Sequence, residues 1–256
     1  MTRLLSGVAL AVAALAAILF LPFPALRVLA CLVAALAASE YLGIVDGERR
    51  GVKAVPVLLL VALACWWFSY PSGAVALWLL GLGVAWAAIE MVLPGGSVKR
   101  ASARVLAPWY IGMPLGMLTA VQMTGGPVAT LLLIATVVVS DSAQYYSGRR
   151  FGRRLLAPAI SPKKTVEGAV GGLIVATIFI TLAGPGVFPA HRSGSLALLG
   201  VAIVLLGIGG DLFESRLKRT AGVKDSSALI PGHGGVLDRI DALLFVAPVY
   251  YVYLQS

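Results

Sequence analysis

The sequence has little charge. Of its 256 residues only 12% are Asp, Glu, Lys or Arg, while 59% are hydrophobic; soluble domains average about 25% charged. A water-soluble fold of this size cannot bury that much apolar surface. A soluble enzyme and a soluble nucleic-acid-binding domain are both excluded, and the mean hydropathy of +0.94 agrees. Cysteine is nearly missing. Cys31 and Cys65 both sit inside apolar runs, where they read as small core residues, and no disulfide framework is implied. The runs also lack the polar–apolar alternation of a transmembrane barrel. No repeat, low-complexity tract or separate soluble domain stands out. What remains is an all-α, polytopic bundle of helices in a lipid bilayer.

A spanning helix needs about 20 mostly apolar residues. Candidate spans lie near 4–21, 25–44, 55–70, 73–93, 104–123, 127–141, 168–188, 195–212 and 242–254, about nine in all. The last is short and ends in Tyr250, Tyr251 and Tyr253, an interfacial aromatic cluster. The first has Arg3 ahead of it like a signal peptide, but its run exceeds the usual core of about 7–15 residues, so we read it as a retained helix. The N-terminal helices occupy 1–126 and the motif-bearing region 127–256, within one integrated membrane domain.

The net charge is +9, from 20 basic and 11 acidic residues. In this setting the basic excess points to anionic head groups, phosphates and topology, not to nucleic acid. If nine helices alternate, all of the basic residues except Arg27 and Arg192 fall on one side. The positive-inside rule makes that side cytoplasmic, with the N-terminus there and the C-terminus outside. The same side holds two long polar regions, 142–167 and 213–241, and polar regions of that length are usually functional or disordered. Their ordered mix of Gly, Pro and charged residues argues against disorder.

The second region, with the end of the run before it, carries Asp211, Glu214, Asp225, Asp238 and Asp241 among Arg216, Lys218, Arg219, Lys224 and Arg239. Charges beside a membrane segment tend to be functional. Asp211 falls at the cytoplasmic end of the eighth run. Asp238 and Asp241 share a helical face if the ninth helix begins there. Gathered carboxylates repel unless a cation neutralises them, and oxygen-only ligands suit Mg2+. Zinc does not suit a site with one histidine and no nearby cysteine. The alternative is an interfacial salt-bridge net with Arg216, Lys218, Arg219 and Arg239. The tight loop Pro231-Gly232-His233-Gly234-Gly235 allows backbone N–H groups to approach a phosphate; it is otherwise a plain turn, with His233 a hydrogen-bonding residue.

The first region contains Asp141, Tyr145 and the basic cluster at 149–154, whose default reading is topology or lipid contact. Ser161-Pro162 predicts a helix start, with Lys163 and Lys164 in the first turn. Cations are disfavoured there by the helix dipole, so their placement points to a bound anion; setting topology is their other reading. Gly168, Gly171 and Gly172 predict close helix packing.

The stretch Ser215-x-x-Lys218-Arg219-x4-Lys224-Asp225-x5-Pro231-Gly232-His233-Gly234-Gly235-x2-Asp238-Arg239-x-Asp241 resembles the signature of bacterial phosphatidate cytidylyltransferases, also called CDP-diacylglycerol synthases. Asp141, Tyr145 and Gly148, and Ser161-Pro162-Lys163-Lys164-Thr165-x-Glu167-Gly168, are similar to that family's other motifs. Ala143-Gln144 departs from it, since many members carry Gly-Ala there. The resemblance implies CTP and phosphatidate as substrates and CDP-diacylglycerol and pyrophosphate as products, at the cytoplasmic face of the bacterial inner membrane. It implies Mg2+ on Asp211 and Asp238, with Asp141, Asp225 and Asp241 next in line as ligands or organisers, and a second, monovalent cation such as K+. Lys163, Lys164, Lys218, Arg219, Lys224 and Arg239 are expected on phosphates. Tyr145, Ser161, Thr165, Glu167, Ser215 and the 232–235 loop are expected at the substrates. It also implies a homodimer.

Two alternatives stand beside this. One keeps the chemistry and changes the lipid: a CTP-dependent transferase or kinase acting on an isoprenoid. The other is an anion transporter, for which Glu40 and Glu90 are the main intramembrane acids; transporter sites lie near the midplane, where this chain is nearly free of charge.

Overall fold

The computed structural model describes residues 2–46, 54–70, 97–230, 232 and 234–256, with 81–82, 85–86, 88 and 91 between them. The expected fourth span, 73–93, lies mostly outside these residues, as do Glu90, Pro231 and His233.

The chain is an all-α membrane bundle. Its helices are α1 (Thr2–Phe20), α2 (Phe23–Asp46), α3 (Val55–Phe68), α4 (Val98–Ala107), α5 (Met113–Phe151), α6 (Val166–Ala183), α7 (Ser193–Thr220) and α8 (Leu237–Leu254). A π-helical turn, Pro108–Gly112, joins α4 to α5. Among the described residues, four stretches are long and apolar enough to cross a membrane: Phe23–Val45, Arg100–Phe151, Val166–Gly186 and Ser193–Thr220. Outward-facing Leu182 and Leu198 are 77% and 72% exposed, as expected of side chains whose solvent is lipid.

Gly126 splits α5. Its φ of 71° and ψ of −173° suit a residue without Cβ, and Pro127 follows, so the helix is kinked where the sequence places a turn between two spans.

Helices α5 to α8 pack on one another around Val121, Leu133, Ile180, Leu196, Ile203, Val246 and Tyr250. A second core joins α2 and α3 to the π-turn through Ala34, Ala37, Tyr41, Val57, Ile111 and Leu115, and takes in Leu237 and Leu244 of α8. Helix α8 thus belongs to both cores. The expected close approach of α6 is present: a Cβ at Gly168 would lie 2.8 Å from the Gln144 carbonyl oxygen of α5 and 3.2 Å from Gly148 Cα.

Much of the two polar regions is helix. Helix α5 runs past residue 141 to Phe151, and α7 runs past 212 to Thr220. Asp211 therefore lies within α7, well before its end. Pairs four residues apart stitch the extensions: Tyr145 with Arg149, Asp211 with Ser215, and Glu214 with Lys218. Such spacing stacks side chains on one face.

Between α5 and α6 lies an antiparallel hairpin of β1 (Leu155–Ala157) and β2 (Ser161–Thr165). This corrects the expected helix start at Ser161. Helix α6 begins at Val166, and its N-cap is Thr165, whose Oγ1 accepts the Gly168 N–H at 3.1 Å. Ser161 and Thr165 are comparable caps. Pairing with β1 and the dipole's bias against cations in a first turn place Lys163 and Lys164 ahead of the helix.

Candidate active site

Side chains from three helices and the hairpin converge on a cavity of about 490 Å3. Helix α5 presents Asp141, Gln144, Tyr145, Gly148 and Arg149. Strand β2 presents Ser161, Lys163, Lys164 and Thr165. Helix α6 adds Gly168 and Ala169, and α7 adds Asp211. Lys164 Nζ forms an ion pair with Asp211 Oδ2, and Asp211 Oδ1 accepts the Ser215 hydroxyl at 3.1 Å. Gln144 Nε2 donates to Asp141 Oδ1 at 3.3 Å. The cavity is therefore a cationic wall of two lysines and an arginine facing two carboxylates.

Asp241 adjoins it. A Cβ at Gly210 would come within 2.6 Å of the Asp241 carbonyl oxygen, so α8 lies directly against α7 beside Asp211. Asp241 precedes the apolar run of α8. Its carboxyl is pushed up to about 7 by burial, with the charges of Asp211 and Asp141 adding to the rise and Lys218 and the Ala242 N–H opposing it. Mutual repulsion of carboxylates favours a cation between them.

Among the described residues no three Asp, Glu, His or Cys side chains gather closely enough to hold a metal. Mg2+ usually takes one or two carboxylates, with substrate phosphates and water as its other ligands. Asp141 and Asp211 on one cavity, with Asp241 close by, fit that requirement. The lysine ammonium seated on Asp211 shows a carboxylate placed to face positive charge.

A second cluster lies beside the cavity, and it changes the expectations for Asp238, Lys218 and the glycine loop. Lys218 Nζ donates to Glu214 Oε2 at 2.7 Å and to Asp238 Oδ1 at 2.6 Å. The other Asp238 oxygen accepts the Gly235 N–H at 2.7 Å, the Ser226 N–H at 2.9 Å and the Ser226 hydroxyl at 2.8 Å. Burial alone would raise this carboxyl, but the Lys218, Gly235 and Ser226 hydrogen bonds outweigh it and hold Asp238 down at about 2. Both of its oxygens are engaged by protein donors, and Lys218 is held between two carboxylates. For these residues the ion-pair net describes the geometry.

The loop glycines do adopt the conformation only glycine favours, with φ of 77° at Gly232 and 79° at Gly234. The N–H groups that follow Gly234 turn inward, however. Gly235 N–H meets Asp238, and the Val236 and Leu237 N–H groups meet Glu40. The phosphate cradle expected here is filled, from Gly235 onward, by the protein's own carboxylates.

The remaining expected residues lie apart from the cavity lining. Glu167 Oε2 accepts the Arg153 and Arg154 N–H groups at 2.9 and 3.2 Å and lines a separate cleft with Arg150. Arg219 donates to the Val223 carbonyl at 3.2 Å. Lys224, Asp225 and Arg239 are exposed. His233 is outside the described residues. Glu40, Glu214, Ser226, Ser227 and Gln144 had no assigned place in the site; for Glu40 the available signal was its standing as the one acid in the run 25–44.

The profile of the cytidylyltransferase family matches residues 1–256. The chain belongs to that family. Family membership rests on the full length, whereas individual relatives match over shorter stretches. The chain is 43% identical over 139 residues to the uncharacterized protein YnbB of Escherichia coli, covering 54% of this chain and 46% of that one. It is 48% identical over 126 residues to a phosphatidate cytidylyltransferase of Haemophilus influenzae, covering 47% of this chain and 44% of that one. With the phosphatidate cytidylyltransferase of Pseudomonas aeruginosa it shares 37% identity over 210 residues, covering 78% of this chain and 69% of that one. The matched stretch thus spans less than half the length of the first two relatives.

Proposed function

We propose that the protein is a CTP:phosphatidate cytidylyltransferase that forms CDP-diacylglycerol and pyrophosphate at the cytoplasmic face of a bacterial inner membrane. The observation that carries this is the cavity at one end of an apolar bundle, where Lys163, Lys164 and Arg149 face Asp141 and Asp211. Membership of the cytidylyltransferase family and relatives named for phosphatidate support it.

The nucleophile is a phosphate monoester, whose second pKa of about 6 leaves it largely dianionic at neutral pH. No strong general base is needed, and none lines the cavity among the described residues. A phosphatidate oxygen forms a bond to the α-phosphorus of CTP. The bond from that phosphorus to the bridging oxygen breaks, and pyrophosphate leaves with the electron pair. The barrier is the approach of one anion to another. Lys163, Lys164 and Arg149 lower it by neutralising phosphate charge, and Ser215 orients Asp211. Asp211, with Asp141 or Asp241 as a second carboxylate, would hold Mg2+, which when bound polarises phosphoryl oxygens and stabilises the leaving group. Asp238 and Lys218 act behind them by fixing the loop to α7. The resemblance also implies a monovalent cation near these residues. Acyl chains remain in the bilayer while the head group enters the cavity.

The test is to incubate the purified protein with labelled CTP, Mg2+ and defined lipids. CDP-diacylglycerol should appear with phosphatidate. Product formed only from an isoprenoid phosphate would replace the lipid in this proposal, and no nucleotide transfer to any lipid would overturn it.

Lys164→Ala should raise the KM for CTP by about ten- to a hundredfold, the equivalent of roughly 1.5–3 kcal/mol for a hydrogen bond to a charged group. The fold should survive, because the Lys164 and Asp211 side chains are partly exposed, at 22% and 36%. Steady-state kinetics with a thermal melt check both statements. Unchanged kinetics would return Lys164 to topology.

A further inference from the structure

Glu40 lies near the C-terminal end of α2 and is only 4% exposed. A buried carboxylate is tolerated when it is fully partnered, and here four donors from a distant part of the chain meet it. Oε2 accepts the Leu237 N–H at 2.8 Å and lies 3.0 Å from the Ser226 hydroxyl, whose single proton it shares with Asp238. Oε1 accepts the Ser227 hydroxyl at 2.6 Å and the Val236 N–H at 3.1 Å. These donors stand at the two ends of the glycine loop, so one side chain ties the loop shut.

The same contacts cap α8. The N-cap position of that helix is Val236, which makes no side-chain cap bond, while the first N–H groups of any helix need acceptors. Glu40 supplies them from another helix, on the side favoured by the dipole. Gly235 fits beneath it, where a Cβ would run into Ser226 Oγ and Glu40 Oε2. About one turn further along α8 stands Asp241, packed on Gly210 beside Asp211.

Resting on the proposed transfer site, we infer that Glu40 is a positioning residue for the reaction. By capping α8 from α2 it sets where α8 begins, and so holds Asp241 beside Asp211 at the place a hard cation is needed. It does not line the cavity. Helix α2 thereby contributes to the chemistry through its Glu40 carboxylate.

The test compares wild type, Glu40→Gln and Glu40→Asp as full-length protein in detergent. Glutamine keeps the shape but turns an NH2 group toward donors, whereas aspartate keeps the charge on a shorter arm. In Glu40→Gln, hydrogen exchange at Val236 and Leu237 should quicken at least tenfold. The Mg2+ concentration giving half-maximal turnover, and that giving half of the Mg2+-induced thermal shift, should both rise about tenfold. Glu40→Asp should recover part of each change. Faster exchange with an unchanged Mg2+ requirement would reduce Glu40 to a structural cap, and unchanged exchange would overturn the clamp itself. If Glu40→Gln does not fold, Ser227→Ala removes a single donor and should shift the Mg2+ requirement about threefold; no shift would overturn the inference. A wild type that transfers no nucleotide would sink the proposed function alone, because the thermal shift with Mg2+ reads the position of Asp241 without turnover.

Discussion

Asp211→Asn is expected to lower turnover by about two to three orders of magnitude, the several kcal/mol that cation stabilisation of a phosphoryl centre supplies, while the helices stay folded. Asp211 lines the cavity, pairs with Lys164 and accepts the Ser215 hydroxyl. Asparagine keeps the size and can keep the Ser215 bond through its amide oxygen, so the charge is what is lost. A hard cation then lacks an anionic oxygen, and the phosphates lack a bridge to α7. Stability should change little. The Asp211 side chain is 36% exposed, and the freed lysine ammonium remains in a solvated cavity. Turnover per folded molecule, measured beside a thermal melt, checks the expectation. Near-normal turnover would leave Asp211 as a partner for Lys164 and move the cation to Asp141 and Asp241.

Asp238→Asn is expected to act first on stability. Asp238 and Lys218 are largely buried, with side-chain exposures of 7% and 11%. Removing one partner of a buried ion pair costs about 3–5 kcal/mol, and the Glu214 bond that Lys218 retains places the expected loss near the lower end, about 3 kcal/mol. The loop loses its anchor as well, since Ser226 and Gly235 donate to the same carboxylate. The pH dependence has a definite sign. Asp238 is held at about 2 against an ordinary value of 3.8. Its contribution is therefore complete above the ordinary value and disappears as pH falls through 2. Wild type and Asp238→Asn should differ most in stability near neutrality and converge toward pH 2. Melts across that range test this. A variant as stable as wild type but without turnover would place Asp238 on the metal, the role that the family resemblance implies.

The two aspartates show what could be read along the chain. Asp238 and Asp241 stand three residues apart, and that spacing puts both on one helical face. It says nothing about which oxygens are already taken. Asp238 is engaged by Lys218, twenty positions away, and by a loop that folds back on it, whereas Asp241 is pressed against α7 among other carboxylates. Ser161 and Thr165 make the same point for local structure. Either can cap a helix, and the strand pairing of 155–157 with 161–165 decided in favour of Thr165.

The all-α membrane bundle, the break at Gly126, the tight packing at Gly168 and the gathering of Asp141, Lys163, Lys164 and Asp211 near one end were legible in the sequence by itself. Each rests on additive or short-range terms: transfer of apolar side chains to lipid, glycine's freedom at positive φ, and the charge left over between apolar runs. The ion-pair net around Lys218, the filling of the glycine loop by carboxylates and the capping of α8 by Glu40 were decided only by the tertiary structure. Glu40 meets donors 186 to 197 residues further along the chain. A hydrogen bond at that separation leaves no local pattern, because its partners are chosen by the packing of α2 against α8 and not by anything either segment shows alone.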